Sequence, residues 1–93
     1  MARRGDTLGV VAHRPRRSHR ILLMLLAEIE GQTHCVARYD SAHGTPHQDI
    51  LGIRKGLLEK EWFFESSNRE VLQYAIRDFK SHAADYICFY RAN

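Results

Sequence analysis

The chain has 93 residues, 44% of them apolar and 27% charged, with a formal net charge of +3. This is the make-up of one ordinary folded domain, near the lower size limit for an independent core. Its two cysteines, Cys35 and Cys88, lie far apart with no CxxC or Cys/His spacing. That argues against a zinc knuckle and a disulfide scaffold, and it suits a reducing cytoplasm.

Charge is unevenly placed. Residues 1–20 hold Arg3, Arg4, Arg14, Arg16, Arg17 and Arg20 against Asp6, a net +5, whereas residues 21–93 hold eight Lys/Arg and ten Asp/Glu, a net −2. Residues 1–18 therefore read as a basic, flexible arm, and residues 19–93 as a single domain. Any sequence-independent affinity for RNA or other nucleic acid is expected from Arg14, Arg16, Arg17 and Arg20, through counterion release. The alternative for the arm is a solvated leader without a ligand. Within it, Thr7 to Ala12 has the makings of a short edge strand, although Gly and Pro surround it.

Ile21 to Ala27 is the longest apolar run, far short of the ~20 residues that cross a membrane. It follows a basic string, as a signal peptide does, but it is short for a signal core and Leu25-Leu26-Ala27-Glu28 offers no pair of small residues for cleavage. It reads as a buried element of the fold. Leu, Met, Ala and Glu in Ile21–Ile29 favour helix, and a run apolar on both faces does not decide between buried helix and central strand. The Glu30-Gly31 turn signal and the alternating Thr33 to Tyr39 segment tip the choice to a hairpin of strands over 20–29 and 33–40.

A loop over Ser41–Pro46 leads to a strand at 47–51, and the Ile53–Gly56 turn leads to another at 57–63. Ser67-Asn68-Arg69-Glu70 is a capping box. After it Val71, Leu72, Ala75, Ile76, Phe79, Ala83, Tyr86, Ile87 and Tyr90 recur at helical spacing. The expected fold is α+β: an antiparallel meander of about four strands, with one long C-terminal helix of about 20 residues on one face. A chain this small often gains stability as a homodimer.

The densest group of chemically capable side chains lies between Arg38 and Asp49. If strands 33–40 and 47–51 pair across the loop, the simplest register sets Asp40 opposite His47 and Arg38 opposite Asp49. All four then share one face, with His43 on the loop above them. Such a group suits acid–base chemistry on RNA, with His47 as acid or base, Asp40 orienting it and Arg38 holding phosphate. The alternatives are a divalent metal held by His43, His47 and Asp40 or Asp49, or a small anion bound without reaction. The group also suits ordinary cross-strand charge pairs, each worth roughly 0.2–1 kcal/mol. Cys35 falls, by strict alternation, on the opposite strand face from Arg38, so the group lacks a thiolate. Neither a metal nor a cofactor is expected. Of the remaining residues, His34 reads as a satisfied strand histidine, and Trp62 and Phe63 as core. Arg77-x4-His82 matches the pattern of the HEPN ribonucleases, an all-helical family that the strands here speak against.

The stretch Arg38-Tyr39-Asp40-Ser41-Ala42-His43-Gly44-Thr45-Pro46-His47-Gln48-Asp49-Ile50-Leu51 resembles the RYD-x-x-HG-x-x-H-x-D-x-L pattern of a family of small uncharacterised prokaryotic proteins. More distantly, its Arg-Tyr-Asp and His elements are similar to those of TumE-type toxins of toxin–antitoxin pairs. The resemblance implies a cytoplasmic, toxin-like enzyme directed at RNA, with an antitoxin-like partner. It carries Arg38, Tyr39, Asp40, His43, Gly44, His47 and Asp49 as the family motif. The expectation from another class is a non-catalytic binding or interaction module in which the motif builds a loop.

Overall fold

A two-residue turn at Glu30-Gly31, both residues with positive φ (52° and 80°), closes the first long hairpin; the left-handed conformation at both positions matches the twist of the strands it joins. In the computed structural model, which describes residues 20–42 and 44–93 and the backbone of residues 8–13, this hairpin is β2 (Leu22–Ile29) and β3 (Gln32–Asp40). β1 (Leu8–His13), β4 (His47–Gly52) and β5 (Gly56–Trp62) complete one sheet in the order β1-β2-β3-β4-β5, antiparallel throughout. A single helix, α1 (Asn68–Ala92), packs on one face. The fold is the expected α+β meander with a C-terminal helix. β1 lies inside the segment read as an arm and pairs along its length with β2. Residues 1–7 and 14–19, including Arg14, Arg16 and Arg17, lie outside the described residues.

The ambiguous Ile21–Ile29 run is a strand because both of its faces are covered to different degrees. Leu23, Leu25, Ala27 and Ile29 are buried, and Leu22, Met24 and Leu26 are half-buried on the other face. The helix supplies Val71, Ala75, Phe79, Ala83 and Tyr90 to the same core. Its N-terminus carries the capping box: the Glu70 N–H donates to Ser67 Oγ, and the Ser67 N–H donates to Glu70 Oε1.

Two bulges set which side chains reach which face. Leu25 pairs with Ala37 but Leu26 pairs with Cys35, so Val36 is an extra residue in β3. Val36 and Ala37 both turn into the core and are buried. The strict alternation assumed from the sequence therefore fails between Cys35 and Arg38, and the two share the helix-free face, because a bulge inverts the parity beyond it. A second bulge in β5 leaves Leu58 unpaired, with Ile50 opposite Glu59 and Leu51 opposite Leu57. Trp62 also departs from its expected place. It lies opposite His47, on the helix-free face, and is 40% exposed. Its neighbour Phe63 packs against the core.

The C-terminal end of α1 is tied to the β4–β5 turn. The Ile53 N–H donates to the Tyr90 carbonyl, and the Arg54 and Lys55 N–H groups donate to the Asn93 carbonyl, at 2.9–3.2 Å. Arg54 Nη2 reaches the Ala92 carbonyl at 2.8 Å, where a cation complements the helix dipole. Gly52 sits under this junction, and a Cβ there would lie 2.8 Å from the Asn93 backbone carbon and oxygen. Gly52→Ala is expected to destabilise the protein by about 1–3 kcal/mol through overpacking. Urea unfolding measures it; a change under about 0.5 kcal/mol would mean the junction yields freely.

Candidate functional site

The β3–β4 register is the one the sequence spacing predicts: Arg38 opposite Asp49 and Asp40 opposite His47. These four residues share the face of the sheet that α1 does not cover. At their centre Asp49, its side chain only 2% exposed, sits on the inner strand β4 and draws one cation from each neighbouring strand. Arg38 Nε donates to Asp49 Oδ2 at 2.8 Å. Lys60 Nζ lies 3.3 Å from Asp49 Oδ1 as an ion pair; that oxygen accepts no aligned hydrogen bond among the described residues. The Asp49 hydrogen bond, outweighing the opposing effect of burial, raises the Arg38 pKa above the usual guanidinium value.

His47 is 3% exposed. Its Nε2 lies 3.7 Å from Asp49 Oδ2, beyond hydrogen-bond length, and its Nδ1 is 3.4 Å from the Thr45 carbonyl. The Trp62 ring lies against it at 4.8 Å between centroids. The carboxylate nearest His47 is thus Asp49, and not Asp40 as the register alone implies. Asp40 turns to its own loop, where Oδ1 accepts the Ala42 N–H. Aspartate bonding the backbone two residues on is a loop-building device. His43 lies outside the described residues. Cys35 approaches the same group: burial pushes its thiol pKa up, and the nearby Arg38 charge partly offsets this. Among the described residues no three His, Cys, Asp or Glu side chains are grouped to hold a metal ion.

The rim of this face is open. The Arg38 side chain is 41% exposed and Lys60 32%. Trp62 stacks on Phe64 at 6.0 Å and 19°, and Phe64 is 77% exposed. Lys60 Nζ lies 5.4 Å over the Trp62 ring, within cation–π range.

A second polar group lies on the helix side and escaped the sequence reading. Asp78 Oδ2 accepts the Tyr39 hydroxyl at 2.6 Å and the Tyr86 hydroxyl at 2.5 Å. Gln48 Nε2 donates to the Tyr86 oxygen at 2.7 Å. His82 Nδ1 lies 3.0 Å from Asp78 Oδ1. The helix is locally non-helical at His82, with φ −126° and ψ 15°. The signal was present as Asp78-x3-His82-x3-Tyr86, one residue per turn beside the apolar stripe. His34 is satisfied as expected, its Nδ1 2.8 Å from the Tyr90 hydroxyl.

Residues 10–93 match the protein family described as "Domain of unknown function (DUF7718)". The chain belongs to that family. No curated protein and no solved structure matches it. The DUF7718 match spans both polar groups and assigns a role to neither. Among the described residues no helix is long and apolar enough to cross a membrane.

Asp49→Asn removes the charge that holds Arg38 and Lys60, and should cost about 1–3 kcal/mol, the range for a buried charge-assisted hydrogen bond. Asp40→Asn, on a half-buried loop cap, should cost less than about 1 kcal/mol in the same urea titration. Equal losses would remove Asp49 from the centre of the network. The tyrosines give a pH dependence. Burial, followed by the Asp78 hydrogen bond, raises Tyr39 and Tyr86, the latter to about 12. An unfolded tyrosine ionises near 10. The unfolded chain then releases protons that the folded chain keeps, so stability is full below about pH 10 and falls as pH rises toward about 12. Tyr86→Phe should flatten this fall; an unchanged slope would mean Tyr86 does not contribute.

Proposed function

We propose that the protein is a small binding module for single-stranded RNA, with the helix-free sheet face as its contact surface. The observation that carries this reading is the pairing of two exposed cations, Arg38 and Lys60, around one buried carboxylate and beside the stacked, exposed rings of Trp62 and Phe64. Single-stranded nucleic acid is bound by this combination: aromatic rings stack on bases, and cations follow the backbone. The charges of Arg38 and Lys60 are balanced locally by Asp49 and Asp40, so stacking carries more of the affinity than charge does. Exposed Arg20 precedes β2, and with Arg14, Arg16 and Arg17 it adds a sequence-independent component.

The toxin-like enzyme that the family resemblance implies uses the same residues differently. A general acid or base must come within hydrogen-bond reach of its substrate. His47 is buried against Trp62 and turned to Thr45 and Asp49. That placement favours the motif as the framework of a binding face. An antitoxin-like partner would compete for the same surface.

Fluorescence anisotropy of the full chain with a labelled single-stranded oligoribonucleotide tests this. Trp62→Ala with Phe64→Ala should weaken binding at least about fivefold, the lower bound for one lost stacking contact. His47→Gln should change it little. Wild-type affinity in the double variant, with binding lost on replacing Arg14, Arg16, Arg17 and Arg20, would place all affinity in the N-terminal arginines and overturn the proposal.

A further inference from the structure

Lys60 lies between the buried carboxylate of Asp49 and the open ring of Trp62. Its Nζ is 3.3 Å from Asp49 Oδ1 and 5.4 Å from the centre of the Trp62 ring. Resting on the RNA reading above, we infer that this ammonium group reads a base edge, and that the helix-free face prefers guanine to adenine in single-stranded RNA.

Two observations separate Lys60 from a cation that only follows the phosphate backbone. The first is charge. Asp49, its side chain 2% exposed, already balances the ammonium, so a phosphate brought to Nζ would also approach a second anion. A neutral carbonyl oxygen meets no such repulsion and accepts from the same group. The second is hydrogen bonding. The Asp49 contact is an ion pair without an aligned hydrogen bond, since Oδ1 accepts none among the described residues. An ammonium carries three N–H donors, and Lys60 donates none of them to another described residue. Asp49 thus fixes where the ammonium sits without using its donors. The Lys60 side chain is 32% exposed, which opens those donors to a ligand.

The rings decide what that ligand presents. Trp62 and Phe64 are stacked, and both are exposed. A base laid against them brings its edge to Lys60. Guanine offers two adjacent acceptors, O6 and N7, on one edge; adenine replaces O6 with an amino group that opposes an ammonium. Asp49 could accept that amino group, but its oxygens are covered by Arg38 and Lys60. His47 is buried against Trp62 and does not reach the base. Arg38 stands two strands away from the rings, beyond the base they hold.

Fluorescence anisotropy of the full chain with labelled single-stranded octaribonucleotides supplies the test. The octamers are adenosine throughout, or carry guanosine, inosine or diaminopurine riboside at the two central positions. The guanosine octamer should bind at least about fivefold tighter than the adenosine octamer, the low end for a cation on this edge. Inosine keeps O6 and N7 and should match guanosine. Diaminopurine replaces O6 with an amino group and should match adenosine. Lys60→Met should bring all four to equal affinity, and Lys60→Arg should keep the preference. Arg38→Met should weaken all four alike. Circular dichroism reports whether each variant is folded; if Lys60→Met is not, the inosine and diaminopurine octamers still decide with the wild-type chain. Equal wild-type affinity for the guanosine and adenosine octamers would overturn the inference and leave the RNA reading standing. So would a preference that survives Lys60→Met, or a diaminopurine octamer that binds like guanosine. Absence of binding to every octamer would overturn the RNA reading itself, and the base preference with it.

Discussion

A carboxylate buried without compensation would drive the chain apart or lose its charge. Asp49 avoids both because β4 has a neighbour on each side, and each neighbour supplies one cation at the matching position: Arg38 from β3 and Lys60 from β5. Those contacts require both registers at once. A one-residue slip of β3 against β4 would turn Arg38 toward the helix and Tyr39 toward solvent. It would thereby break the pair on one face and the Tyr39–Asp78 hydrogen bond on the other. The single pairing between β3 and β4 therefore coordinates two polar networks that never touch. Desolvation offsets much of what a buried ion pair gains, and the partial exposure of Arg38 and Lys60 limits the energy each contact adds.

The same alternation explains why the two faces have different chemistry. Along β3, Arg38 and Asp40 point away from α1 while Tyr39 points toward it; along β4, His47 and Asp49 point away while Gln48 and Ile50 point toward it. One side gathers cations beside aromatic rings, and the other gathers tyrosine hydroxyls and an imidazole around the Asp78 carboxylate. The family motif, read as a line of sequence, mixes residues that serve both. Tyr39 is the clearest instance: it sits between Arg38 and Asp40 in the motif but belongs to the helix network.

Much of the architecture was legible because it rests on local signals. The Glu30-Gly31 turn, the capping box at Ser67 and the apolar stripe of α1 are each set by residues within a few positions of one another. The β3–β4 register was legible too, since a six-residue loop between two alternating segments leaves one simple pairing. The bulge at Val36 was not. Nothing in Cys35-Val36-Ala37 distinguishes a regular strand from one with an extra residue, and the bulge alone decides that Cys35 joins the Arg38 face. Trp62 was misplaced because size argued for core while strand parity argued for the outer face; parity prevailed, and Phe63 took the core position. The Asp78 network was missed because its partners Tyr39 and Gln48 come from distant strands. Its helical half was present in the sequence as a regular four-residue spacing.

Dense polar motifs invite a catalytic reading, yet density has another cause here. Once Asp49 is placed on an inner strand, the chain around it must supply compensating groups at short range. Arg38 and Lys60 are those groups. The loop that returns the chain from β3 to β4 must also satisfy its own backbone, and Asp40 serves it through Ala42. Gly44, with φ of 97°, supplies a conformation that other residues resist. These demands account for most of the motif's polar residues without any substrate. What they leave over is the outward half of the same side chains: the exposed part of Arg38, the Lys60 ammonium and the Trp62–Phe64 pair. A network that must exist for folding thus presents a fixed, preorganised surface, and a fixed surface costs a ligand less to bind than one that orders on contact.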